Sequence, residues 1–274
     1  MDKSTRSLTD SQNDMLILQQ ASCKYIAPLG LGAFGRVYQV DPGDGLIHAA
    51  KVMKKNDWNP REWQAARELA QNIGQHPNII RYDGIFNAES YIVILMEYAN
   101  MPSLSVLIDY SGQPLEEDVV IHLIWQLLQG VAAIHQSKLV HRDLKPENIL
   151  LHNPGGDEVV LKISDFGLSR QLDDDQLART HCGTPLHMAP EVLMKNGAFN
   201  NKADLWSVGV IIHPFQSKTL DELKKRVKQP PQKPTNLSNQ CWELIQHLLC
   251  FDAKDRFSAE EALKHQFFAP IYWQ

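Results

Sequence analysis

The sequence predicts an α+β chain with a small β-rich lobe followed by a larger helical one. Three observations predict it. Residues 25–52 read as strands around a glycine-rich turn. Tyr91 to Tyr98 is a short apolar run between polar neighbours, the pattern of a buried strand. Beyond position 150, helical patterns dominate apart from one short strand-like run.

The elements follow in order. Residues 1–14 are rich in Ser, Thr, Asp and Asn, with little to bury. They are expected to form a disordered lead-in, and the folded domain is expected to begin after residue 23. Residues 60–73 contain no Pro or Gly after Pro60 and read as a helix. Asn100-Met101-Pro102 breaks the chain after the apolar run. Glu116 to Gln136 is a long periodic helix, with Val119, Leu123, Leu127 and Val131 on one face. Val159–Ile163 is a short strand-like run among helical patterns. A β-rich lobe, a crossing strand and a helical lobe suit an enzyme that closes two lobes on a nucleotide.

Composition narrows the function classes. The 274 residues suffice for two lobes with real cores, and 43% hydrophobic with 22% charged residues is ordinary for a globular protein. A net charge of −5 argues against a dedicated nucleic-acid binder. Cys23, Cys182, Cys241 and Cys250 show neither close pairing nor metal spacing and are expected to be free thiols. No apolar run reaches the roughly 18 residues that span a bilayer. Residues 1–14 carry no apolar signal stretch, and position 2 is not Gly. An intracellular, cytoplasmic protein with neither membrane nor nucleic-acid partners is expected, the nucleus remaining open.

Two groups of motifs carry chemistry. Gly30-Leu31-Gly32-Ala33-Phe34-Gly35-Arg36-Val37 lets backbone N–H groups approach phosphates closely. A dinucleotide turn would pass into a helix, but Val37-Tyr38-Gln39-Val40 continues as a strand. Residues 141–148 read His-Arg-Asp-Leu-Lys-Pro-Glu-Asn, and Asp165-Phe166-Gly167 follows. The first string sets a base, a charge carrier and a metal ligand on one loop; the second adds another metal ligand. That is the chemistry of phosphoryl transfer from ATP to a hydroxyl. In this combination and order the motifs resemble the eukaryotic-type protein kinase family, serine/threonine type.

The resemblance implies a two-lobed kinase fold over residues 24–269: an N-lobe at 24–98, a hinge at 99–102 and a C-lobe at 103–269. It implies ATP and Mg²⁺. Leu29, Gly30, Gly32, Gly35, Val37, Ala49 and Leu150 would surround the nucleotide, and Met96 would be the gatekeeper of the adenine pocket. Backbone groups of Glu97 and Ala99 would bond the adenine edge. Lys51 would grip the α- and β-phosphates. Its carboxylate partner is expected to be Glu68, counted back from the His76-Pro77 string, with Glu62 second. Asp143 would orient the acceptor hydroxyl, and Lys145 would neutralise the transferring group. Asn148 and Asp165 would hold Mg²⁺, and Thr184 would bridge Asp143 and Lys145. His141 is expected to pack under Phe166, and Glu191 to pair with Arg256. Thr180 would be a phosphosite for an upstream kinase, its phosphate facing Arg142 and Arg170. The substrate would be a protein bearing Ser or Thr.

The chain departs from the family in three places. Asn100-Met101-Pro102-Ser103 replaces the more usual glycines, with no acidic residue after the hinge. His187 stands where a tyrosine is frequent. The apolar helix opening at Asp204 is cut by His213-Pro214-Phe215. This short helix is expected to leave part of the C-lobe floor uncovered, unless Phe215 or the segment Leu220–Val227 fills it. It keeps open a second reading, a pseudokinase that binds or scaffolds, and it predicts a marginally stable fold that an insertion after Ile212 would stabilise. A small-molecule kinase fits poorly, because Gly183-Thr184-Pro185 and Ala189-Pro190-Glu191 have no purpose without a peptide substrate.

Overall fold

A computed structural model describes residues 13–31, 35–171, 185–194, 200–215, 217 and 219–272. The small lobe opens with helix α1 (13–20). Strands β1 (Lys24–Leu31), β2 (Arg36–Asp41) and β3 (His48–Lys54) follow, then helix α2 (Pro60–Ile73) and strands β4 (Tyr82–Ala88) and β5 (Tyr91–Glu97). The five strands form one antiparallel sheet in the order β1-β2-β3-β5-β4.

Strand alternation gives this sheet two buried faces. Ala49, Met53, Ile92, Ile94 and Met96 join the main core, with Val37 packed against it. Tyr38, Val40, Ala50, Val52, Val93 and Leu95 point the other way and meet Ile17, Leu18, Ala21 and Cys23. Residues 13–23 are therefore an ordered layer of the small lobe, not the expected lead-in. The polar letters misled because this segment needs only four apolar side chains to cover a sheet face. Its Asp14 is buried through partners on β2.

Helix α2 starts where Asn59 caps it: the Asn59 side chain accepts from the Arg61 N–H, and Pro60 supplies a pre-set first residue. It stops at Gly74, whose φ of 70° suits glycine.

The large lobe contains β6 (Met101–Ser103), α3 (Leu104–Ser111), α4 (Glu117–Gln136), β7 (Leu139–Val140), β8 (Ile149–His152), β9 (Val160–Ile163) and β10 (Arg170–Gln171). Then come α5 (Pro190–Leu193), α6 (Lys202–Ile212), α7 (Leu220–Arg226), α8 (Asn239–Leu248), α9 (Ala259–Leu263) and α10 (Ala269–Tyr272). Among the described residues only α4 is long and apolar enough to cross a membrane, and it is a core helix here, with Leu127, Leu128 and Val131 fully buried. Its buried residues begin at Ile121; Val119, expected on the same face as Leu123, is exposed in the first turn.

Phe215 and α7 cover much of the floor of the lobe. Phe215 folds back to stack on Trp206, ring centroids 5.6 Å apart and planes 7° apart. Leu223 of α7 and Val227 are buried in the same core. Gly209 lets α6 press on the end of α8: a Cβ there would lie 2.7 Å from a Leu249 methyl carbon. Among the described residues the expected gap is reduced to a cavity of about 230 Å³ between residues 213–215 and the segment from Arg226 on, because Phe215 turns inward, so the pseudokinase reading loses its main support.

Candidate active site

Lys51 stands on β3, opposite Val37 of β2 and Ile94 of β5, on the inner face of the sheet. Its ammonium lies 2.9 Å from both carboxylate oxygens of Glu62 and 3.2 Å from Asp165 Oδ1. The partner is thus Glu62, and the expectation of Glu68 is corrected. Six residues separate them on α2, a rotation of about 240° at 100° per residue, so only one can face the cleft. Counting back from His76-Pro77 failed because the chain between that string and the cleft-facing turn of α2 is longer than the count assumed. Tyr82, which the motifs do not single out, donates to Glu62 Oε1 at 3.2 Å, an oxygen that Lys51 also reaches.

Burial acts against the charge on Lys51, but Glu62 and Asp165 outweigh it and hold the ammonium above its ordinary range. Burial also pushes the Glu62 carboxyl up; Lys51 pulls it down, Asp165 pushes it up again, and the balance is upward. Two carboxylates thus share one cation. That excess of negative charge at the mouth of a cleft favours a further cation.

Asp165 has a left-handed φ of 65°, a conformation uncommon outside glycine. Phe166, next in the chain, is fully buried, 5.1 Å from His141 and 6.1 Å from Tyr82 between ring centroids. Its anchoring aims Asp165 into the cleft. His141 packs on Phe166 as expected, and its Nε2 lies 3.0 Å from the Ser164 carbonyl.

The loop at 141–148 is fixed from below. The His141 and Arg142 backbone N–H groups each donate to a different oxygen of buried Asp204, both at 2.9 Å. His135 adds a third contact at 2.9 Å. Burial pushes the Asp204 carboxyl up, but His135, His141 and the amides outweigh it and hold the group below the usual carboxylate range. A depressed carboxylate stabilises the fold fully above its ordinary range, and that stability is lost as pH falls through the folded value. Asp204→Asn is expected to lower stability by about 1–3 kcal/mol at neutral pH. The gap should narrow below the carboxylate range, which melting curves across pH would show.

On that platform Asp143 Oδ2 lies 2.8 Å from Lys145 Nζ and accepts from Asn148 Nδ2 at 3.1 Å. The Asn148 amide nitrogen also donates to the Asp143 carbonyl at 2.8 Å, leaving its amide oxygen as the ligand atom. Ser164 ties the two halves together: its N–H and hydroxyl donate to the Asn148 carbonyl at 2.9 and 3.0 Å. Asn148 and Asp165 are thereby held side by side.

The remaining expected residues surround this core. Ala49 and Met96 are paired across β3 and β5 and buried. Val37 and Leu150 are half-buried, and Leu29 is exposed on β1. Gly30 pairs with Val37. Gly35 has a packing reason to be glycine: a Cβ would sit 2.5 Å from the Val52 carbonyl oxygen. Ala99 is half-buried after β5. The Glu97 N–H donates to the Arg81 carbonyl, and its side chain turns to the Arg81 N–H and Lys162, at 2.8 and 3.0 Å. Gly32, Thr180 and Thr184 lie outside the described residues, as do Cys182 and the side chain of Arg170. Arg256 is fully buried and holds Glu191 through two bonds of 2.9 and 3.1 Å, which anchors α5 to the base of the lobe.

Known proteins are similar to this chain in sequence. The family model of the protein kinase domain matches residues 23–268. The serine/threonine-protein kinase unc-51 of Caenorhabditis elegans is 34% identical over 266 residues, covering 87% of this chain and 30% of its own length. The serine/threonine-protein kinase ATG1b of Arabidopsis thaliana is 36% identical, over 87% of this chain and 35% of its own. The CBL-interacting serine/threonine-protein kinase 16 of the same plant is 34% identical, over 85% of this chain and 54% of its own. The chain thus spans about a third to about half of the length of these relatives.

Proposed function

The chain belongs to the protein kinase domain family, serine/threonine type, and from that premise we propose that it transfers the γ-phosphoryl group of ATP to a Ser or Thr hydroxyl of a protein substrate. The observation that carries this reading is the continuous polar path from Glu62 through Lys51 and Asp165 to Asn148 and Asp143. It offers a cation for phosphates, oxygens for a metal and a carboxylate for a hydroxyl, in that order along one cleft.

Each residue has a role that its chemistry allows. Lys51, held by Glu62, grips the α- and β-phosphates. The glycine hairpin, with Gly30, Gly32 and Gly35, covers them; Val37, Ala49 and Leu150 pack on the adenine, with Leu29 at its edge. Met96 lines the back of the pocket, and Glu97 and Ala99 bring backbone groups to its rim. Asp143 accepts a hydrogen bond from the substrate hydroxyl, aligns its oxygen with the γ-phosphorus and takes the proton as the new P–O bond forms and the bond to the β-phosphate oxygen breaks. Lys145, already at Asp143, offsets the charge of the moving group. The residues fit Mg²⁺: one carboxylate and one amide oxygen suffice for an ion that keeps water and phosphate oxygens. Asp165 and Asn148 would hold it, and it would neutralise the β- and γ-phosphate charge.

Thr184 is assigned to the bridge between Asp143 and Lys145. Thr180 is assigned as the site where an upstream kinase adds charge that Arg142 and Arg170 receive. A kinase that draws on ATP works inside the cell, and the cytoplasm is the proposed place.

The test combines a nucleotide titration with a transfer assay on a generic protein substrate. The wild-type chain is expected to phosphorylate Ser or Thr in a Mg²⁺-dependent way. Asp165→Asn is expected to weaken Mg²⁺-ATP binding by about tenfold, a loss of about 1.4 kcal/mol. Asp143→Asn should bind nucleotide nearly as wild type and lose about a hundredfold in turnover. Identical behaviour of the two variants in the titration would overturn this division of roles.

A further inference from the structure

Arg36 begins β2, one residue beyond Gly35 and one before Val37, at the point where the chain returns from the glycine turn. Alternation places Val37 on the nucleotide side of the sheet and Arg36 and Tyr38 on the outer side. There they meet Asp14 of α1. The Asp14 Oδ1 accepts from Arg36 Nη2 at 2.6 Å, and its Oδ2 accepts from Arg36 Nε and from the Tyr38 hydroxyl. Asp14 is fully buried, whereas the Arg36 side chain keeps 29% exposure. A two-pronged guanidinium–carboxylate pair fixes direction as well as distance.

The rest of α1 is locked down independently. Ile17, Leu18, Ala21 and Cys23 are buried against Tyr38, Val40, Ala50, Val52, Val93 and Leu95. Arg36 and Val37 in turn pair with Val52 and Lys51 on β3. The carboxylate therefore rests on a packed helix and holds the first residues of the strand that carries Gly35 and Val37.

We propose that Asp14 is a positioning residue for nucleotide binding: through Arg36 and Tyr38 it fixes the outgoing strand of the glycine hairpin, so that the N-terminal helix sets the affinity for ATP. The proposal rests on the kinase reading above. It makes residues 13–23 part of the nucleotide-binding machinery without any contact to nucleotide. A general stabilising role would lower the folded, active fraction and so the apparent kcat, with KM for ATP unchanged; a positioning role raises KM for ATP.

The experiment uses the full chain, as wild type, Asp14→Ala, Tyr38→Phe and Leu248→Ala. The last removes a fully buried side chain of the large lobe, remote from the hairpin. Mg²⁺-ATP affinity, KM for ATP, KM for a peptide substrate, kcat and melting temperature are measured for each. Asp14→Ala is expected to raise the dissociation constant and KM for ATP about tenfold, with peptide KM unchanged and kcat changed far less. Tyr38→Phe keeps the ion pair and should show a smaller rise of the same kind. Leu248→Ala should lose melting temperature with KM for ATP unchanged. Wild-type ATP affinity in both Asp14→Ala and Tyr38→Phe would overturn the proposal. So would an equal rise in KM for ATP in Leu248→Ala. A wild-type chain that binds no nucleotide would instead fail the kinase reading, and this proposal with it.

Discussion

Replacing Lys51 with Met is expected to lower phosphoryl transfer by about a hundredfold to a thousandfold while leaving the melting temperature close to wild type. The rate loss follows from removing a preorganised cation from a cleft where charge moves, worth about 3–4 kcal/mol of barrier. The fold tolerates the change because Met fills similar volume, Asp165 keeps access to water with 22% side-chain exposure, and buried Glu62 keeps its bond from the Tyr82 hydroxyl. The sharper test lies in its partner. Glu62→Gln keeps the shape but removes the charge that holds Lys51, and is expected to cost about tenfold or more in kcat/KM. Glu68→Gln should stay within about twofold, because that side chain points away from the cleft. Equal losses in the two glutamine variants would sink the assignment of Glu62, and near-normal turnover of Lys51→Met would sink that of Lys51.

The glutamate shows what the sequence could and could not specify. Residues on one loop or one strand were legible, because their spacing is set by the chain itself. Asp143, Lys145 and Asn148 sit together for that reason, as do His141 and the turn at Asp165. Arg256 and Glu191 were legible through motif order alone. What failed required a helix phase or a tertiary contact. Glu62 and Glu68 differ in which way α2 is rotated, and the missed signal is helical phase: Glu62 lies three, four and seven residues before buried Ala65, Ala66 and Leu69. Residues 13–23 read as polar because Asp14 looks solvated in sequence; only β2, more than twenty positions on, supplies the guanidinium and hydroxyl that bury it. Val119 carries the right period but stays exposed in the first turn, where Val120 instead packs against the core.

Phe215→Ala is expected to destabilise the chain by about 3–5 kcal/mol, the range for truncating a buried aromatic. The stack on Trp206 is the reason, since parallel aromatic contact adds about 0.5–1.5 kcal/mol beyond area. In a chain of this size that loss corresponds to a fall in melting temperature on the order of 10 °C. The Trp206 ring also meets the buried guanidinium of Arg256, 5.2 Å from its centroid, so an opened floor would also loosen the Glu191 anchor. This geometry reverses the expectation that a longer helix would help. Ten residues inserted after Ile212 would push Pro214 and Phe215 out of their turn and separate Phe215 from Trp206. The insertion is therefore expected to lower the melting temperature, and its effect should largely overlap with Phe215→Ala instead of adding to it, because both remove the same contact. An insertion variant that melts above wild type, or a Phe215→Ala variant that melts with it, would show that the floor is sealed by α7 alone.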